Sequence, residues 1–131
     1  LSNVSYFPFR ELICRIRLSI DGNCLRQSSL EGPFISSSHI GAQPLEYVAE
    51  PLVDIFKGYQ EVSGNTIKLV SLAPEVEGAE ELIKYLKSQN IVASVGHSAA
   101  GFNDVEKAVA AGISNVTHTY NAQKAYHQYS E

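Results

Sequence analysis

From residue 30 onward the chain alternates short apolar runs with segments whose apolar residues recur every three or four positions. Thr66 to Leu72 is rich in β-branched and apolar residues and predicts a buried strand. Ile91 to Val95 predicts a second strand, and Ser114 to Thr117 a short third. Helical periods separate them. Pro51 suits a first helical turn, with Leu52, Ile55, Phe56 and Tyr59 on one face as far as about Gln60. Gly64-Asn65 marks a turn. Ala79, Leu82, Ile83 and Leu86 follow the i, i+3, i+4, i+7 spacing of a helix from about Gly78 to Gln89. Asn103 with Glu106 resembles a capping box, opening a helix that buries Val105, Ala108 and Val109 and that Gly112 can terminate. Strand, helix, strand, helix, strand with short links predicts right-handed crossovers and a parallel α/β sheet. Such sheets bind ligands at the carboxyl ends of their strands.

The first 29 residues break this pattern. Phe9 to Ile20 fits neither period cleanly, and Asp21-Gly22-Asn23 signals a turn. Gln27-Ser28-Ser29 is too polar to predict a buried parallel strand. Charge divides at the same place. All four arginines (Arg10, Arg15, Arg17, Arg26) precede residue 29 and all six lysines follow it. The first part therefore carries +2 and the remaining 102 residues −6. The expected organisation is a segment of undetermined structure over 1–29 and one α/β domain over 30–131.

Composition narrows the function class. A chain of 131 residues can build one domain with its own core. No apolar run approaches the ~20 residues of a membrane span, and no signal-peptide pattern is present, so the expectation is a cytoplasmic protein with no membrane partner. A formal charge of −4 argues against nucleic acid as the main partner. Cys14 and Cys24 are too few for a disulfide scaffold and are expected to be reduced thiols. The chain has no Met and begins at Leu1, which suggests a piece of something longer.

Three residues carry the candidate chemistry. Glu31, His97 and His118 each follow an apolar run, in Leu30-Glu31-Gly32-Pro33-Phe34, Val95-Gly96-His97-Ser98 and Val116-Thr117-His118-Thr119-Tyr120-Asn121. The histidines are 21 positions apart, about one strand–helix–strand repeat, so both can stand at the same end of neighbouring parallel strands. Strands ~4.8 Å apart let two imidazoles reach one ion. Two His and one carboxylate form a catalytic metal set that leaves a position for water, which points to a metal-dependent hydrolase. Other features read more plainly. Gly96-His97-Ser98-Ala99-Ala100 misses the nucleophile elbow at Ala100, leaving Ser98 as a loop or cap residue. His39 and His127 read as solvated loop histidines, and Asp54, Glu61 and the acids from Glu75 to Glu81 as a solvated face. A Rossmann-like module would need a glycine-rich phosphate loop after its first strand, and none is present.

Four motifs in order, Leu30-Glu31-Gly32-Pro33-Phe34, Ser71-Leu72-Ala73-Pro74-Glu75, Gly96-His97-Ser98 and Thr117-His118-Thr119-Tyr120-Asn121-Ala122, resemble the N-acetylglucosamine-6-phosphate deacetylase family of the amidohydrolase superfamily. The resemblance covers about residues 30–128. It implies a partial (β/α)8 TIM barrel that is not closed, so that 30–131 is a partial amidohydrolase barrel domain. It implies that Glu31, His97 and His118 bind one divalent metal ion, zinc or alternatively iron, and that Asn121 and Ala122 help bind a sugar phosphate. The implied reaction is hydrolysis of the acetamide of N-acetylglucosamine 6-phosphate to glucosamine 6-phosphate and acetate, in a homo-oligomer.

The chain also departs from the family. A substrate-contacting His becomes Gln43, Asn-Ala-Met becomes Asn121-Ala122-Gln123, and a phosphate-binding Arg aligns with Tyr129, with Lys124 in the same loop as partial compensation. The early HxH motif is not found. The family's catalytic Asp falls beyond Glu131, so no catalytic acid/base is assigned here. The alternative expectation is a non-catalytic truncated fragment that retains the metal-ligand set.

Overall fold

Five strands form one sheet, and four of them run parallel. The computed structural model describes residues 13–20 and 23–124, with side chains from Gln27 onward. In chain order the elements are β1 (Ile13–Ile20), β2 (Asn23–Glu31), a 3-10 turn (Leu45–Tyr47), α1 (Val53–Val62), β3 (Ile67–Leu72), α2 (Ala79–Ser88), β4 (Val92–Val95), α3 (Phe102–Ala111) and β5 (Asn115–Val116). The spatial order is β1-β2-β3-β4-β5, with β1 antiparallel to β2 and the rest parallel. Sequential order with a helix between each parallel pair is that of a (β/α)8 barrel. A doubly wound sheet reverses its order at a switch point, and none occurs among the described strands. The fold is α/β, an open part of such a barrel, as expected.

β2 corrects the expectation for Gln27-Ser28-Ser29, which lie inside a strand. Ser28 is buried yet satisfied. Its N–H donates to Thr66 O at 2.9 Å, and its hydroxyl shares a 2.8 Å hydrogen bond with Thr66 Oγ1. A polar residue enters a buried strand when its groups find partners. Pairing with β3 shifts register after Ser28, and Leu30 and Glu31 then face Val70 and Ser71. The other edge of β2 is taken by β1. The strand thus runs straight across residue 29, where the charge changes sign. Asp21 and Gly22 of the expected turn lie outside the described residues, as do His127 and Tyr129 and the side chains of Cys14 and Cys24.

The pleat sorts the sheet into two faces. Leu30, Val70, Leu72, Ala93 and Val95 meet the helices through Phe56, Leu82, Ile83, Leu86 and Ala108, and all are buried. Glu31, Ser71 and Ser94 stand side by side on the other face. That face is the inner wall of the barrel segment.

Three local details differ from expectation. Pro51 is buried just before the N-cap Leu52 of α1, so it sets the entry of the chain and does not occupy the first turn. The N-cap of α3 is Gly101, whose N–H donates to Asp104 Oδ2 at 2.9 Å; Asn103 and Glu106 play no part in the cap. Val109 is 59% exposed while Ala108 and Ala111 are buried. α3 packs against α2 along its alanine edge, and beyond β5 no further described element covers the valine side. Gly112, at φ +125°, ends the helix as expected.

Candidate metal centre

Glu31 is the last residue of β2, and its carboxylate enters the site from the strand itself. His97 lies two residues past the end of β4 and His118 two residues past β5. Both histidines take left-handed backbone, with φ +52° at His97 and +31° at His118. Few non-glycine residues adopt that region, and such strain concentrates at functional sites. Here it turns each imidazole inward from the strand end.

The three side chains converge. His97 Nε2 lies 2.9 Å from Glu31 Oε1, His118 Nε2 lies 3.0 Å from the same oxygen, and the two Nε2 atoms are 3.0 Å apart. The rings meet edge to face, with centroids 4.7 Å apart. His97 is buried, Glu31 half-buried and His118 exposed, so the cluster opens on one side.

The other ring nitrogens decide the chemistry. His97 Nδ1 donates to His39 O and His118 Nδ1 donates to Asn121 O, each at 3.0 Å. A carbonyl can only accept, so Nδ1 carries the proton in both rings and each neutral ring presents a lone pair at Nε2. Two nitrogen lone pairs and a carboxylate oxygen therefore face one another. A proton satisfies one pair of these atoms, whereas a cation at the centre satisfies all three. Ligand atoms bound to zinc at ~2.0–2.2 Å stand roughly 3.3–3.6 Å apart at tetrahedral angles. The observed spacing needs to open by only a few tenths of an ångström, so the residues fit a divalent ion.

The electrostatics agree. Burial raises the pKa of Glu31, but hydrogen bonds with the two imidazoles, and the positive charge these rings carry whenever they are protonated, outweigh it and hold the carboxyl below its ordinary value. Burial lowers the pKa of His118, and its hydrogen bonds to Glu31 and Asn121, with the Glu31 charge, raise it further than burial lowers it. The site favours positive charge at its centre.

The surrounding loops interlock above the strands. Ser36 N donates to His97 O at 2.9 Å, which ties the loop after β2 to the loop after β4. Gly41, at φ +59°, sits so close that a Cβ there would lie 3.2 Å from His97 Cε1 and 3.5 Å from Ala122 Cβ. Gln43 is half-buried two residues further along this loop. Asn121 and Ala122 lie in the loop after β5, where Ala122 O accepts from Ser98 N at 3.1 Å. The residues expected to touch substrate thus occupy the two loops flanking the cluster. Beneath it, Thr117 Oγ1 lies 2.7 Å from both Ser71 Oγ and Ser94 Oγ. Gly96 leaves room for Thr117, since a Cβ at 96 would meet Thr117 Cβ at 3.0 Å.

Several roles had no clear signal in the sequence. Glu75 is no plain solvated acid, because Ser98 Oγ donates to its Oε2 and Ala99 N to its Oε1. Glu77, Glu80 and Glu81 are exposed as expected. Ser98 also accepts from Ala100 N, which fits a loop-capping residue. Gln123, which replaces the family's Met, donates from Nε2 to Thr117 O at 3.1 Å and steadies the residue before His118. His39 stands outside the cluster, half-buried, with its ring bonded to Ser38 Oγ and only its carbonyl supporting His97. No helix among the described residues is long and apolar enough to cross a membrane.

Fold and donor set together define a class: barrel-type α/β proteins that hold two His and a carboxylate at the carboxyl ends of parallel strands of one sheet, here β2, β4 and β5. The comparisons then make the resemblance particular. No family model matches the chain. N-acetylglucosamine-6-phosphate deacetylase from Bacillus subtilis (strain 168) is 45% identical over 98 residues, 75% of this chain and 25% of that protein. The enzyme of that name from Lysinibacillus sphaericus is 39% identical over 98 residues, with the same coverage. A structure of a mutant N-acetyl-D-glucosamine-6-phosphate deacetylase from Mycobacterium smegmatis, in complex with N-acetyl-D-glucosamine-6-phosphate, superposes with a TM-score of 0.73 at 30% identity, over 76% of this chain and 26% of that one. Over those residues the chain is a relative of the N-acetylglucosamine-6-phosphate deacetylases. It spans about a quarter of the length of the curated relatives it matches.

Proposed function

We propose that Glu31, His97 and His118 hold a divalent metal ion, zinc or alternatively iron, in a site built to hydrolyse the acetamide of N-acetylglucosamine 6-phosphate. The carrying observation is the meeting of Glu31 Oε1, His97 Nε2 and His118 Nε2 within 3.0 Å, with both Nδ1 atoms already committed to carbonyls. When bound, such an ion polarises an amide carbonyl and lowers the pKa of water. The chain's own residues orient the ligands and the substrate. His39 O and Asn121 O fix the ring tautomers and orientations. The loops carrying Gln43, Asn121 and Ala122 border the open side and orient the sugar phosphate. Gln43 can hydrogen-bond to substrate but cannot carry the charge of a protonated imidazole.

A second reading concerns a polypeptide of these 131 residues by itself, which spans a quarter of the relatives' length. A polypeptide of these 131 residues then binds metal and turns substrate over poorly, because the acid–base Asp that the resemblance places after residue 131 is not among its residues. Such proton transfer is typically worth about 10²–10⁴-fold in rate. Among the described strands β5 stands at the sheet edge, which leaves such a polypeptide prone to self-association.

Acetate release from N-acetylglucosamine 6-phosphate, followed with and without added Zn²⁺, separates the readings. We expect stoichiometric zinc uptake by calorimetry with turnover well below that of a full-length relative. Turnover within tenfold of a relative would sink the second reading. Failure to take up Zn²⁺ or Fe²⁺ would sink both.

A further inference from the structure

We propose that Glu75, at the carboxyl end of β3, is a positioning residue that clamps the loop behind His97 and so sets the geometry of the metal centre. The inference rests on the metal reading above and assigns a role to the Ala73-Pro74-Glu75 motif, which that reading leaves unused.

Both oxygens of Glu75 are engaged with consecutive residues after His97. Ser98 Oγ donates to Oε2 at 2.6 Å, and Ala99 N donates to Oε1 at 2.5 Å. Bonds to an ionised carboxylate are shorter and stronger than neutral ones, so this two-point grip is firm. Ser98 is 3% exposed, which keeps water from competing for its hydroxyl. His97 just before it sits at φ +52°, a conformation that the neighbouring contacts must hold in place. The grip reaches further. Ser98 N donates to Ala122 O at 3.1 Å and Lys124 N donates to Ser98 O at 3.0 Å, a parallel bridge between the loops after β4 and β5. Glu75 on the β3 loop therefore anchors the β4 loop, and through it the loop that carries His118, Asn121 and Ala122.

The test uses the full chain with Glu75→Ala, Glu75→Gln and Ser98→Ala. Zn²⁺ affinity is measured by calorimetry, and ligand geometry by the visible absorption of the Co²⁺-loaded protein. Outer groups that orient metal ligands typically contribute about 10–100-fold in affinity. We expect Glu75→Ala to weaken zinc binding by that factor and to alter the Co²⁺ spectrum. Glu75→Gln keeps the shape with weaker neutral bonds and should fall between Ala and parent. Glu75→Ala combined with Ser98→Ala should lose less than the product of the two single effects, because Ser98 acts through Glu75. Glu80→Ala, which breaks an exposed pair with Lys84, serves as a control expected to bind like the parent. Amide hydrogen exchange at Ala99 gives a metal-free readout, and Glu75→Ala should speed it at least tenfold.

Parent-like zinc affinity and an unchanged Co²⁺ spectrum in Glu75→Ala would overturn the proposal. A general loss of stability that lowers binding equally in Glu75→Gln and Glu75→Ala would overturn it as well. If the parent takes up no metal, the metal reading falls separately. The clamp is then decided by exchange at Ala99 alone, with unchanged exchange in Glu75→Ala counting against it.

Discussion

At the scale of single residues, three facing lone pairs determine what the site can hold. Removing one donor leaves the remaining two with poorer means to satisfy a cation. Binding free energies of roughly 10–16 kcal/mol for structural zinc, shared among ligands, imply several kcal/mol for each. His97→Ala and His118→Ala are each expected to weaken Zn²⁺ binding by about a hundredfold or more, read by competitive titration against a chelator. Gly41 supplies a second residue-level prediction. Its φ of +59° and its closeness to His97 Cε1 leave no comfortable place for a methyl group. Left-handed backbone costs a non-glycine residue about 1–2 kcal/mol. Gly41→Ala should lower stability by about that much in urea denaturation. It should also weaken zinc binding, because the added methyl presses on the imidazole.

At the scale of elements, α3 shows how a local cap and a tertiary neighbour divide the work of placing a helix. The helix follows the three-to-four periodicity, but its start is set by Gly101 and Asp104. Asp104→Ala should cost about 0.5–2 kcal/mol, the usual range for losing a cap. Asn103→Ala should stay within about 0.5 kcal/mol, as exposed substitutions do. Thermal unfolding of the two variants checks both statements, and the reverse ranking would return the cap to Asn103. β2 makes the same point for strands. Its polar Ser28 is tolerated because Thr66 meets both its N–H and its hydroxyl.

At the scale of the whole molecule, the helices cover one face of the sheet, and the other face holds the Ser71–Thr117–Ser94 hydroxyl chain below the cluster. Exposed apolar side chains gather beside β5. Val116 is 54% exposed, Val109 59%, Phe102 80% and Tyr120 83%, all on α3, β5 or the loop that follows. Among the described strands β5 pairs on one side only, and an open strand edge beside exposed apolar side chains invites pairing with another chain. A polypeptide of these residues is expected to elute above its monomer mass on a sizing column. Val116→Lys should shift it toward monomer, since a charge on an edge strand opposes pairing. A monomeric parent at tens of micromolar would contradict this.

The alternation of parallel strands and helices, the termination at Gly112, and the candidacy of Glu31, His97 and His118 are legible in the amino-acid pattern alone. Those features are local or periodic, and they follow from which residues recur at which spacing. Other features arise only from contacts between distant parts of the chain. That Gln27-Ser28-Ser29 form a strand depends on Thr66, 38 positions beyond Ser28. That Val109 is exposed while Ala108 and Ala111 are buried depends on which edge of α3 packs against α2. That Glu75 grips Ser98 and Ala99, and that Gln123 holds Thr117, depends on loops brought together at one end of the sheet. A polar side chain's partner is chosen by geometry across the chain, and composition and period carry no record of it.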